Sequence, residues 1–162
     1  MDADSVELRV LDKRIEVWGV PKYQSALAAG LDLFACIDET LVLEPQSLAQ
    51  LVPTGIALHI ASPLLAALIL PRSGLGHKRG LVLGNAVGLI DADYTGPVFI
   101  SAWNRSAPGA EPIVIEPGDR IAQLIFVPVV RPAFRIVETF TQGSSRGARG
   151  FGSTGHGAGV PQ

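Results

Sequence analysis

Cysteine is nearly missing from this chain of 162 residues, Cys36 being the only one. No intrachain disulfide can form, and no cysteine cluster is available for zinc. Cys36 itself reads as a small, half-buried hydrophobe in a strand. Aromatic residues are scarce at 6%, so a core must be built from the aliphatic remainder of the 48% hydrophobic content. Charge of one sign is also lacking. A net charge of −2 provides no basic field to hold a nucleic-acid backbone. The expected partner is a small molecule or another copy of this chain. Long apolar runs are absent too, since the longest, Leu64 to Leu70, is too short to span a bilayer. The opening MDADSVELRV is acidic and has no signal-peptide core. Together these features predict a soluble, cytoplasmic protein that binds neither membrane nor nucleic acid.

What the chain has in quantity is punctuation. Eighteen glycines and twelve prolines separate short apolar runs, which favours many short strands over long helices. Strands are expected near Glu7–Asp12, Leu31–Ile37, Leu41–Leu43, Ala49–Val52, Gly55–Ile60, Ala66–Leu70, Leu81–Leu83, Val98–Trp103, Ile113–Ile115, Ile121–Val130 and Ala133–Val137. Ser62-Pro63 has the chemistry to cap one turn of helix. The pattern predicts an all-β domain, a barrel or a jelly roll, over residues 1–141. Residues 142–162 are rich in glycine, serine and threonine, with Phe151 as their one aromatic. Such a segment buries too little to offset its ordering entropy and is expected to be a mobile arm.

The most informative stretch is Gly80 to Trp103, GLVLGNAVGLIDADYTGPVFISAW. It reads as a β-hairpin with DADYTG as its turn. Asn85, Asp91 and Tyr94 on one hairpin suit a pocket for a planar, hydrogen-bonding ligand with a carboxylate close by. An Asn side chain offers a donor and an acceptor together, as a pyrimidine edge requires. The same residues would equally make an ordinary Asp/Asn/Gly turn.

Five segments in order bear on that choice. AGLDLFA (Ala29–Ala35), PRSGLGHK (Pro71–Lys78), GLIDADYTGP (Gly88–Pro97), GDRIAQLIF (Gly118–Phe126) and RGARGFGSTG (Arg146–Gly155) resemble, in register, the five motifs of the trimeric dUTP diphosphatase (dUTPase) family. The likeness runs from about Leu8 to Gly155 and is nearest to bacterial members. It implies a β-clip, jelly-roll-like fold and hydrolysis of dUTP to dUMP and diphosphate. This reaction keeps uracil out of DNA and supplies dUMP for dTMP synthesis.

The resemblance also implies roles. Asp91 would be the general base, polarising a water that attacks the α-phosphorus. Asn85 would read uracil, helped by backbone groups around Leu89, Ile90 and Phe99. Tyr94 would lie beneath the deoxyribose and occlude a 2′-hydroxyl. Arg72, Ser73 and Gly74 resemble an anion nest, with Ser73 stabilising charge on the leaving diphosphate. Gln123, polar within an apolar strand, would face a phosphate or the catalytic water. Asp32 would hold waters on Mg²⁺, the ion itself resting mainly on substrate phosphates. In the arm, Arg146 would pair with the terminal phosphate and Phe151 would stack on uracil. Gly152, Ser153 and Thr154 would donate to the β and γ phosphates. Arg149 stands where the family commonly has glycine, so either the arm's local backbone is ordinary there or Arg149 supplies an extra phosphate contact.

The family's sites are shared within a homotrimer, with hairpin, phosphate motifs and arm coming from three different subunits. His77 and Asp93 are read as structural or exposed. Two other readings are a dCTP deaminase of the same fold and a non-catalytic nucleotide-binding trimer. The deaminase needs a carboxylate poised at the pyrimidine C4, whereas Asp91 is placed for water attack on phosphate.

Overall fold

In a computed structural model, residues 5–143 and 147 are described. They divide into two units with a boundary after Val130, and all regular elements lie in the first. These are β1 (Glu7–Val10), α1 (Arg14–Trp18), β2 (Leu31–Phe34), β3 (Leu41–Leu43), β4 (Gln50–His59), β5 (Leu65–Pro71), α2 (Ser73–Lys78), β6 (Leu81–Leu83), β7 (Gly88–Ile90), β8 (Pro97–Asn104), β9 (Ile113–Ile115) and β10 (Arg120–Pro128). One sheet has the order β1-β4-β8-β6, a second β2-β10-β5-β7, and β3 pairs with β9. Every named pair is antiparallel. The sheets stay open, so the jelly-roll half of the expectation holds and the closed barrel does not.

Alternation explains the layering. In β6, β7 and β9 the first and third residues are buried and the middle one is not, as a strand with one face on a core requires. The core is aliphatic, with Leu33, Leu43, Val52, Ile56, Ile100, Ile115 and Leu124 all nearly inaccessible. The two expected strands around Val52 and Ile56 are one strand, β4, bent where its ladder slips between Pro53 and Ala57. Gly55 makes the bend at φ +72°, and a Cβ there would lie 2.7 Å from Ile15 and 2.8 Å from the Cys36 sulfur. Its carbonyl accepts from the Leu11 and Asp12 N–H groups. Arg14 then donates to Asp12 at 2.7 Å. That hydrogen bond holds the Asp12 carboxyl well below the usual carboxylate range, and burial pushes the Cys36 thiol up.

Three local expectations differ. The helices α1 and α2 were not legible in periodicity, being five and six residues long. Leu64 N–H does bond the Ser62 hydroxyl, but the segment forms a turn and no helix. Ala133–Val137 is not a strand. Residues 131–143, in the second unit, have neither helix nor strand and are exposed, with Phe134, Ile136 and Phe140 each more than nine-tenths accessible.

Candidate active site

The hairpin of the sequence reading is open rather than tight. β6 and β8 pair from Leu81–Asn104 to Leu83–Ala102, and Gly84 N–H adds a bond to the Ser101 carbonyl at 2.8 Å. The backbones close tightly there, because a Cβ on Gly84 would collide with that of Ala49. Beyond this point the chain leaves the first sheet. β7 crosses to the second and pairs with β5, setting Gly88 opposite Ile69 and Ile90 opposite Ala67. The turn at Asp91–Tyr94, closed by the Tyr94 N–H to the Asp91 carbonyl at 3.2 Å, returns the chain to β8.

Splaying one arm onto each sheet opens a cavity of about 240 Å³. Its lining includes Asn85, Leu89, Ile90, Asp91, Tyr94 and Phe99, all six of the residues expected on the hairpin. Leu89 and Phe99 are exposed apolar side chains on its walls, a surface suited to a flat ring. Tyr94 is fixed from below. Its hydroxyl donates to the Pro97 carbonyl at 2.9 Å, and the ring folds over Gly96, where a Cβ would lie 2.5 Å from the hydroxyl oxygen. Asp93 does not line this cavity.

A second cavity, of about 460 Å³, gathers Asp32, Arg72, Ser73, Gly74 and Gln123 with Leu75, Lys78 and Arg79. β2 and β10 bring Asp32 and Gln123 directly opposite each other, so both side chains leave the same face. The pairing of β10 with β5 delivers the end of β5, where Ala122 opposes Pro71. Arg72 follows, and Ser73 and Gly74 lie in the first turn of α2 rather than in a loop. Gln123 Nε2 donates to the Pro71 carbonyl at 3.0 Å; its partner is thus main chain, and Oε1 meets no donor among the described residues. Asp32 carries Arg72 Nε on one oxygen at 3.0 Å and Arg120 Nη1 on the other at 3.1 Å. Lys78 and Arg79 were not singled out from sequence. Their side chains have no hydrogen-bond or ion-pair partner among the described residues, which leaves two uncompensated cations on the cavity wall. The signal was their position just past the RSG turn.

The two cavities have no lining residue in common. His77 is exposed and lines neither. Arg146, Arg149, Phe151, Gly152, Ser153 and Thr154 lie outside the described residues.

The family model named dUTPase matches residues 16–155. The chain belongs to the dUTPase family. Among curated relatives it is 56% identical to the deoxyuridine 5′-triphosphate nucleotidohydrolase of Shewanella pealeana, covering 93% of this chain and 96% of that one. The corresponding enzyme of Psychromonas ingrahamii is 55% identical over 93% and 97%. Among solved structures, a mutant Staphylococcus bacteriophage 80alpha dUTPase with dUpNHpp superposes with a TM-score of 0.79 at 29% identity, over 94% of this chain and 99% of that one. A mutant dUTPase from phage phi11 of S. aureus, described for its coordination of a structural Mg(II) ion, gives 0.73 at 28% identity, over 86% and 100%. The open sheets are therefore those of a dUTPase, and the two cavities belong to a dUTPase framework.

Proposed function

We propose that this dUTPase hydrolyses dUTP to dUMP and diphosphate through attack of an Asp91-held water on the α-phosphorus. The observation that carries the reading is the gathering of Asn85, Asp91, Tyr94 and Phe99 on one nucleobase-sized cavity. Asn85 reads the uracil edge, with backbone groups near Leu89, Ile90 and Phe99 completing the contacts. A cytosine amine would put a donor where uracil has an acceptor. Tyr94 lies beneath the sugar and fills the space of a 2′-hydroxyl. Asp91 positions the water and accepts its proton; positioning contributes more than basicity for a carboxylate. Arg72, Ser73 and Gly74 face the phosphates, and Gln123 Oε1 accepts from a water there. From the arm, Arg146 pairs with the terminal phosphate, Phe151 covers the uracil, and Gly152, Ser153 and Thr154 donate to the β and γ phosphates.

The donor set fits Mg²⁺ carried by the substrate. Among the described residues no three His, Cys, Asp or Glu side chains form a metal cluster, and Asp32 already holds two guanidiniums. A carboxylate has lone pairs to spare beyond two bonds, so Asp32 reaches waters of the ion, which keeps much of its hydration. When bound, the ion neutralises phosphate charge. The site is shared within a homotrimer. Supporting this, the nucleobase and phosphate residues line separate cavities, and an apolar segment with Phe134, Ile136 and Phe140 stands exposed on the single chain. The substrate belongs to the nucleotide pool that feeds DNA synthesis, which sets the reaction in the cytoplasm.

Diphosphate release from dUTP with Mg²⁺ tests the reading, with Asp91→Asn as control. The amide is nearly isosteric yet cannot accept the proton, so turnover should fall by ~10²–10⁴-fold with dUTP binding retained. A variant as fast as the parent would remove Asp91 from the chemistry. Ammonia released from dCTP in place of diphosphate from dUTP would favour the deaminase.

A further inference from the structure

We infer that Arg120 is a positioning residue of this site: it neutralises Asp32 and, through Asp32 and its own carbonyl, locks Arg72 in place for the triphosphate. The inference rests on the reading of the second cavity as the phosphate site. Two bonds fix the Arg72 guanidinium. Its Nε meets Asp32 Oδ1 at 3.0 Å, and its Nη1 donates to the Arg120 carbonyl at 2.7 Å. Nη2 takes no partner among the described residues and is the edge left to meet an anion. A free arginine loses substantial rotamer entropy on binding a ligand. Here that entropy is already lost before the substrate arrives.

Asp32 alone would be a poor anchor in such a place. One oxygen serves Arg72, and the other would confront the incoming phosphates with like charge. Arg120 Nη1 occupies that second oxygen at 3.1 Å. The chain bends to put it there. In β10, Gln123 opposes Asp32 and Ala122 opposes Leu33, but Arg120, not Ile121, opposes Phe34. Without this bulge the pleat would turn Arg120 to the core face with Ala122 and Leu124. With it, Ile121 and Ala122 are both buried in succession and Arg120 shares the face of Asp32. The turn before β10 sets the entry: Asp119 N–H bonds the Glu116 carbonyl, Gly118 N–H the Ala35 carbonyl, and Ala35 N–H the Asp119 carbonyl. Re-aiming one side chain at the edge of a site is a recognised use of a bulge.

The test is a double-mutant cycle between Arg120→Gln and Arg72→Gln, read by KM and kcat for dUTP and, separately, by calorimetric binding of the imido analogue dUpNHpp. Arg120→Gln should raise KM and weaken analogue binding by about tenfold while kcat stays within a few-fold. Arg120→Lys, which keeps the charge, should recover most of the loss. The double variant should lose clearly less than the product of the two single losses, because part of the effect of Arg120 runs through Arg72 and only its neutralisation of Asp32 remains once Arg72 is gone. Losses that multiply in the double variant, or an Arg120→Gln protein with parental KM, would overturn the inference. Should Arg120→Gln fail to fold, Arg120→Met and Arg120→Lys complete the same cycle. A parent that binds the analogue but releases no diphosphate would sink the reaction, and the binding cycle would still judge Arg120.

Discussion

The selectivity role proposed for Tyr94 would depend on a neighbour with no side chain. Its ring rests on Gly96, and its hydroxyl is tied to the Pro97 carbonyl. A methyl on Gly96 would sit 2.5 Å from the hydroxyl oxygen and 2.7 Å from Cζ, inside any van der Waals contact. The ring must move. Gly96→Ala should therefore mimic Tyr94→Ala, lowering the ratio of dUTP to UTP turnover by about tenfold. Tyr94→Phe, which loses one hydrogen bond and keeps the ring, should change that ratio far less. Diphosphate release measured on both substrates decides it, and unchanged selectivity in the alanine variants would return Tyr94 to a structural role.

At the scale of elements, the bend in β4 has the clearest energetic consequence. Gly55 holds a left-handed φ of +72° with Ile15 and Cys36 packed where a Cβ would go. Gly55→Ala combines backbone strain with overpacking, at a cost of roughly 2–4 kcal/mol. The denaturant midpoint should fall clearly; a variant as stable as the parent would mean that Ile15 and α1 are free to shift. This bend also marks where sequence reading stopped. Runs such as Leu81–Leu83 and Ile113–Ile115 are apolar stretches bounded by turn residues, and their strands were legible to the residue. Whether Val52 and Ile56 belong to one bent strand or two straight ones depends on partners far away in sequence. The same holds for β7, whose Gly88–Ile90 reads locally as a hairpin arm yet pairs with β5. Ala133–Val137 has strand composition, but a strand exists only by pairing, and none of the described strands pairs with it. Short helices carry too few turns for a 3.6 period to show. Asp32, Arg72, Ser73, Gly74, Asp91, Tyr94 and Gln123 were legible because they lie in the motif segments, whereas Lys78 and Arg79 were not singled out. Arg120 was not singled out, since its role rests on a bulge that local sequence does not encode.

The whole-molecule question is whether one chain can complete a site. Asn85, Asp91 and Tyr94 line one cavity and Arg72, Ser73 and Gln123 another, and the arm residues follow Gln142 in sequence. If the three groups meet from three subunits, defects in different groups should complement. A chain ending at Gln142 keeps every strand found among the described residues and should fold and assemble, yet turn over almost no dUTP. Asp91→Asn chains should be equally slow for a different reason. Unfolded together and refolded as mixed trimers, the two inactive proteins should regain activity, because some sites take Asp91 from a truncated chain and the arm from an Asp91→Asn chain. With equal amounts and random assembly, that is about a quarter of the sites. Sites built from single chains would never contain both, and the mixture would stay inactive. Recovery near a quarter of the parental rate per site would support hairpin and arm coming from different subunits, and no recovery in a verified trimer would place them on one chain.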